Sequence, residues 1–148
     1  MTIQELINHD IKQAMLAKNV DKLSALRSVK SAFLLEASKD GRDNITDDIA
    51  LKIISKLVKQ RKDSAKIYND QNRADLEKDE LAQQRHLEHY LPKQLSEQEV
   101  NEILDEIIVE QGADSMKDMG KVMSIATEKL SGLADGKLIA VLVRKKLQ

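Results

Sequence analysis

The chain of 148 residues contains no cysteine, no tryptophan, one proline and five glycines, and aromatic residues make up only 2% of it. The absence of cysteine excludes disulfide bonds, thiolate catalysis and thiolate metal sites, and it fits a cytoplasmic protein. Because aromatic side chains are scarce, the core has to be aliphatic. Few glycines, one proline and few strand-like runs favour an all-helical fold.

Long apolar runs and an excess of charge of one sign are also lacking. The longest apolar run, Leu138 to Val143, is far too short to span a bilayer, and the N-terminus has no signal pattern, so we expect neither secretion nor a membrane partner. The formal net charge of −1 argues against indiscriminate binding of nucleic acid, which depends on neutralising phosphates. DNA is therefore not expected as a partner, and any RNA contact has to use a local patch.

Hydrophobic residues recur with helical spacing along the whole chain. The capping-box patterns Thr2 to Glu5 and Ser96 to Glu99 predict two helix starts. Thr46, Ser115 and Asp135 are predicted to cap three further helices.

The boundary between two groups of helices is predicted at the single proline. Pro92 cannot continue a helix, so we place the boundary between Leu91 and Ser96. The sequence thus predicts an all-α fold with a four-helix N-terminal subdomain, residues 1–92, followed by a small three-helix C-terminal subdomain, residues 96–148.

Two charged residues fall on the apolar faces of the first two helices when these are wound at 100° per residue. They are Asp10 and Lys30. A charge in such a place must be paired, hydrogen-bonded or directed into an interface. An antiparallel helical hairpin would set the two residues opposite each other, which predicts an Asp10–Lys30 pair with Arg27 as competitor.

A third charge, Arg61, falls on the apolar face of the third helix. The same reasoning about the following turn sets it opposite Glu80 or Gln83. The alternative is that one of the three cations, Arg27, Lys30 or Arg61, remains available to hold a phosphate or a carboxylate.

Two glycine-containing segments near the C-terminus, Asp118 to Met123 and Gly132 to Leu138, combine permissive glycines with placed lysines. Together with Lys59 to Ser64 and Tyr90 to Glu97, they resemble the GatB/YqeY family over essentially the whole chain. The resemblance is closest to the free-standing YqeY-like members. Other members form the C-terminal region of the B subunit of tRNA-dependent amidotransferase.

The resemblance implies a non-catalytic, tRNA-associated binding module that needs no cofactor. In the B subunit this helical region is associated with holding tRNA and leaves out the portion that performs activation chemistry. Amidotransfer by a carbon–nitrogen ligase with glutamine as donor needs an ammonia-generating nucleophile and activation of a carboxylate. The chain has no cysteine, no glycine-rich phosphate loop and no serine–lysine constellation, so such activity is the least favoured alternative.

Two basic patches are candidates for RNA contact. Residues 113–148 hold seven Lys or Arg against four acids, and Lys121, Lys137 and Arg144 are our first candidates there. Lys117, Lys145 and Lys146 complete this basic set. The second patch is a lysine ridge on the third helix, and the alternative for it is a solvated face. The ridge comprises Lys52, Lys56, Lys59, Lys62 and Lys66.

A rival hypothesis is based on residues 96–112, which hold six acids and no base. In this alternative the acidic helix from Glu97 to Glu110 docks on a basic protein partner, such as an aminoacyl-tRNA synthetase or an amidotransferase subunit.

Two smaller features leave alternatives open. Gly120 either permits tight helix packing or lets an RNA backbone approach, whereas Gly136 either sets turn geometry or lies where free amides favour an anion. His86 and His89 have a metal-binding spacing, but without an evident third ligand we expect no metal site.

Overall fold

The computed structural model describes residues 1–148, and every regular element in it is helical, which confirms the all-α prediction. None of the helices combines the length and the hydropathy that crossing a bilayer requires. A short 3₁₀ turn, Met116–Asp118, precedes the sixth helix. The helices are α1 (Ile3–Leu16), α2 (Val20–Lys39), α3 (Asp47–Asp70), α4 (Ala74–Glu88), α5 (Glu97–Gln111), α6 (Met119–Lys129) and α7 (Gly136–Leu147).

Two helices begin with the complete capping boxes that the sequence predicts. The Thr2 hydroxyl accepts the Glu5 N–H at 3.1 Å, and the Glu5 carboxylate accepts the Thr2 N–H at 3.0 Å. Ser96 and Glu99 repeat this exchange at the start of α5. Each box satisfies amide groups that a helix otherwise leaves without partners at its first turn.

The remaining predicted caps differ in outcome. Thr46 and Asp135 accept amide hydrogen bonds at the starts of α3 and α7, as predicted. Ser115 makes no capping hydrogen bond, so that prediction is wrong. The Asp118 carboxylate accepts the Asp114 N–H at 3.1 Å instead, and the intervening chain forms the 3₁₀ turn.

Contacts divide the chain into two compact units, residues 1–91 and residues 92–148, which we call unit 1 and unit 2. In unit 1, α3 packs against α4, α1 against α2, and α2 against α4. Its core is aliphatic apart from one phenylalanine. The core residues are Ile7, Ile11, Ala14, Ala25, Leu26, Val29, Phe33, Ala50, Ile54, Val58 and Leu87.

Unit 2 is built around α6 and α7, which pack against each other, with α5 covering both. Its core is entirely aliphatic, and Met119 and Met123 pack against it as partly buried residues. The chain that leads into α5 is fixed to the turn after α6, because the Leu95 N–H donates to the Leu133 carbonyl at 2.9 Å. The core residues are Val100, Leu104, Ile107, Val122, Ala126, Leu130, Ile139, Leu142, Val143 and Leu147.

Candidate nucleic-acid interface

One face of α7 carries a line of cations. Lys137, Arg144 and Lys145 are exposed, while Ile139, Leu142, Val143 and Leu147 on the opposite side are buried in the core of unit 2. Lys137 and Arg144 are seven residues apart, which places them on the same side of the helix and about 10 Å apart along its axis. Burial of the apolar side therefore fixes the direction in which the cations point.

The start of α6 adds two further exposed cations, Lys117 and Lys121. Lys117 belongs to the 3₁₀ turn, which contacts both α6 and α7. Lys121 is in the first turn of α6, directly before Val122, whose side chain is buried. Unit 2 thus carries five exposed lysine and arginine residues on the 3₁₀ turn, α6 and α7, which we call the α6/α7 cations. They are Lys117, Lys121, Lys137, Arg144 and Lys145.

Lys146 differs from these residues in its surroundings. Its side chain is only 21% exposed, and its Nζ lies 2.6 Å from Oδ1 of Asp105 on α5. Lys146 thus joins the last helix to the acidic helix, and its charge is compensated within unit 2. None of the salt bridges in the structure involves an α6/α7 cation.

Gly120 and Gly136 lie on the surface of unit 2, each directly before one of the α6/α7 cations. A Cβ atom added at either glycine would meet no other atom within 4 Å, and neither has a positive φ. Tight helix packing is therefore not the reason for Gly120, and that alternative is wrong. The backbone at both glycines is accessible from outside.

The lysine ridge on α3 is only partly available. Lys52, Lys56 and Lys66 are exposed, and Lys59 is partly buried. The Nζ of Lys62 lies 3.5 Å from Oε1 of Glu88 on α4, and this oxygen also accepts a hydrogen bond from Gln84. The ridge therefore has a neighbouring carboxylate at its centre.

The predicted Asp10–Lys30 pair does not form. Asp10 accepts a short hydrogen bond from the Tyr90 hydroxyl, while Lys30 and its proposed competitor Arg27 are exposed. Leu34, four residues after Lys30 on the same side of α2, is 51% exposed, and the buried stripe of α2 lies further round the helix. Lys30 is consequently outside the core.

Arg61 is partly buried in unit 1 and forms three hydrogen bonds. Nε donates to Oε1 of Gln83 at 3.3 Å, Nη1 to the Leu57 carbonyl at 3.2 Å and Nη2 to the Ser28 hydroxyl at 2.8 Å. The contact with Gln83 confirms one of the two predicted partners. Burial lowers the pKa of Arg61, and the charge of Glu80 partly opposes this. The guanidinium group is therefore occupied by internal partners.

The outer face of α5 is acidic and contains one conspicuous apolar residue. Glu97, Glu102, Glu106 and Glu110 are exposed, and Val109 among them is 80% exposed. This is the face that the rival docking hypothesis requires.

His86 lies on α4 and His89 directly follows it, and the two side chains have different surroundings. The His89 ring packs edge-on against Tyr90, with ring centroids 5.6 Å apart, and burial lowers the pKa of His86. No group of three or more acidic or histidine side chains is arranged to hold a metal ion.

Interpretation of the sequence did not identify Ser28 and Tyr90, two residues whose side chains form hydrogen bonds between parts of unit 1 that are distant in sequence. Ser28 bonds to Arg61 and to the Ala25 carbonyl, and Tyr90 bonds to Asp10 across 80 residues of sequence. The sequence could have indicated Tyr90, because a tyrosine among apolar residues needs a hydrogen-bond partner for its hydroxyl group. The hydroxyl group of Ser28 is a weaker indication of the same kind.

Comparison with known proteins supplies the wider context. The sequence pattern of the family described as Yqey-like protein matches residues 4–147. A glutamyl-tRNA(Gln) amidotransferase subunit of Thermococcus gammatolerans is 47% identical over 58 residues, covering 36% of this chain and 9% of that protein. Altered inheritance of mitochondria protein 41, mitochondrial, of Vanderwaltozyma polyspora is 32% identical over 121 residues, covering 76% of this chain and 64% of that protein. The chain thus spans a small part of the first relative and just under two thirds of the second.

Proposed function

The chain belongs to the Yqey-like protein family, and on that premise we propose that it is a non-catalytic, tRNA-associated binding module. The observation that carries the proposal is the set of α6/α7 cations, which are exposed and form no salt bridge within the chain. Exposed lysines and arginines are the side chains that contact the phosphates of nucleic acids.

Similarity to the amidotransferase subunit of Thermococcus gammatolerans supports tRNA as the nucleic acid. The name of that relative refers to glutamyl-tRNA(Gln), and a stretch of 58 residues is 47% identical to it. Because the chain covers only 9% of the relative, the shared part is proposed to contribute RNA contact and not the reaction. Because the total charge is near neutral, the proposed contact uses a local patch, and the α6/α7 cations are our candidates for it.

Binding of bulk cellular tRNA across a salt series tests the proposal. The variant Lys121→Glu/Lys137→Glu/Arg144→Glu should lose at least about a hundredfold in affinity at low salt, and its salt slope should become shallower by about two to three. The matched control is Lys52→Glu/Lys56→Glu/Lys66→Glu, which changes the charge equally on α3. An equal loss in the control, or no binding by the wild type, would contradict the proposal.

A second candidate function is a protein-interaction adaptor, and the exposure of Val109 among acidic residues favours it. In this role α5 docks on an aminoacyl-tRNA synthetase or an amidotransferase subunit. Binding to such a purified partner should be lost in Val109→Lys/Glu106→Lys and should depend less on salt than tRNA binding does. A variant that still binds the partner would eliminate α5 as the docking surface.

Direct amidotransferase activity is not part of the proposal. Release of ammonia from glutamine by the pure protein would overturn the non-catalytic assignment.

We also propose a cytoplasmic location, on the basis of the absence of cysteine. Fractionation of cells tests that location, and recovery of the protein in mitochondria would contradict it, in line with the name of the fungal relative.

A further inference from the structure

The α6/α7 cations are mostly lysines, and no aromatic residue lies in the same unit. Four of these cations are lysines, and the exposed side chain between Lys137 and Arg144 on the same face of α7 is the aliphatic Val141. The aromatic residues of the chain, Phe33, Tyr68 and Tyr90, all lie in unit 1. The basic surface therefore offers point charges and one guanidinium group.

These groups suit one class of RNA better than another. Proteins that recognise unpaired bases stack them on aromatic rings or on arginine planes and hydrogen-bond their edges. Lysine ammonium groups carry no such directional information and act as point charges toward phosphates. Paired RNA is recognised mainly by its shape and by contacts to phosphates and 2′-hydroxyls.

The rigidity of the surface points in the same direction. Lys137, Arg144 and Lys145 are fixed on one helix whose start is capped by Asp135 and whose inner side is buried. A helix of this length is about 18 Å long, so the Cα positions that carry these cations keep constant distances from one another. Constant distances match a duplex, in which phosphates repeat regularly, better than a flexible single strand.

We infer that the α6/α7 cations bind the phosphate backbone of a paired RNA stem, and that unpaired bases are not read by this surface. The inference rests on the proposed function and adds the structural class of RNA. It also implies that two stems of different sequence bind equally well, because phosphate contacts carry no base information.

The test measures binding of the full chain to two RNA hairpins of unrelated sequence, each with about 16 base pairs. Single-stranded polyuridine with the same number of nucleotides as a hairpin is measured beside them. At one fixed salt concentration, both hairpins should bind equally and at least about tenfold more tightly than polyuridine. Lys137→Glu/Arg144→Glu should weaken hairpin binding, whereas Lys129→Glu, an exposed lysine at the far end of α6, should not. Circular dichroism of each variant confirms that it is folded.

The possible outcomes distinguish the inference from the proposed function. Polyuridine binding as tight as hairpin binding, in a protein that still binds tRNA, would overturn the inference and leave the proposed function in place. Hairpins that differ strongly from each other in affinity would also overturn it. Failure to bind tRNA, hairpins and polyuridine alike would overturn the proposed function and this inference with it.

Discussion

Units 1 and 2 differ in where their polar side chains find hydrogen-bond and ion-pair partners. In unit 1, Arg61 on α3 donates hydrogen bonds to Ser28 on α2 and to Gln83 on α4, and the Tyr90 hydroxyl donates to Asp10. In unit 2, the core is aliphatic, and Lys146 with Asp105 forms a pair at its surface. The other cations of α6 and α7 remain directed outwards.

This difference separates cations that hold helices together from cations that are available to a charged partner. A guanidinium group with three internal partners cannot bind a phosphate without losing hydrogen bonds that hold the helices together. An exposed lysine has no such bond to lose. Arg61 is therefore structural, while exposed lysines are the better binding candidates.

The greatest change in stability is expected in a test of the proposal that the chain forms two separate domains, residues 1–92 and 96–148, which nearly coincide with units 1 and 2. Leu104→Ala in unit 2 should lower the stability of that unit by about 2–5 kcal/mol, because it opens a cavity in a fully buried position. Tyr68 and Tyr90 both lie in unit 1, so tyrosine fluorescence reports unit 1, and circular dichroism reports both units. Urea unfolding should shift only in the circular dichroism signal.

Leu87→Ala, in the core of unit 1, is the matched control and should shift the tyrosine transition. If Leu104→Ala moved the tyrosine transition as far as Leu87→Ala does, the two units would unfold together and the two-domain proposal would be wrong.

Removal of the internal cation of unit 1 should have the next largest effect. Arg61→Ala should lower the free energy of unfolding by about 1–3 kcal/mol, because Ser28 and Gln83 lose their shared donor. Arg27→Ala removes an exposed arginine from α2 and should change stability little. Equal midpoints of urea unfolding for the two variants would show that the hydrogen bonds of Arg61 do not stabilise unit 1.

The bond between Tyr90 and Asp10 should make unit 1 sensitive to high pH. Burial and then the hydrogen bond to Asp10 raise the pKa of Tyr90 above its usual value of 10.0. A pKa that is raised by folding gives a stabilisation that is complete below pH 10 and is lost as the pH rises above it. Tyr90→Phe should remove about 1 kcal/mol at pH 8 and lessen the decline above pH 10.

Thermal unfolding at several pH values from 8 to above 10 measures this, with Tyr68→Phe as the control. A wild type and a Tyr90→Phe variant that decline in parallel would contradict the assigned role of the hydroxyl.

The smallest effect is expected at the exposed glycines of unit 2. Gly120→Ala and Gly136→Ala should each stabilise the protein by about 0.5–1 kcal/mol, because alanine favours the helix and its methyl group meets no atom. Gly132→Ala should destabilise it, since the backbone there has a φ of +75°. Thermal midpoints of the three variants decide this, and destabilisation by Gly120→Ala would reveal a packing role that the structure does not contain.

Local chemistry made much of the fold predictable from the sequence. The capping boxes at Thr2 and Ser96 use groups within four residues of one another, so their pattern suffices to place the helix starts. The partner of Asp10 was not predictable in the same way. The partner of Asp10 depends on how α2 is rotated about its own axis and on the path of the chain after α4. Both depend on packing across the whole unit.

The candidate site was predictable to a similar extent. Charge segregation in residues 96–148 identified the basic set, but Lys146 could not be separated from Arg144 and Lys145 by sequence alone. Its pairing depends on α7 lying against α5 so that Lys146 meets Asp105, which lies 41 residues earlier in the chain.

We propose that unit 2, and not unit 1, contacts RNA through the α6/α7 cations. Backbone amide NMR spectra of the full chain during titration with tRNA decide between the two units, because every helix is followed at once. We expect chemical-shift changes and line broadening at residues 117–121 and 136–145, with α3 and the outer face of α5 little changed. Changes centred on α3, or on residues 97–110, would contradict it.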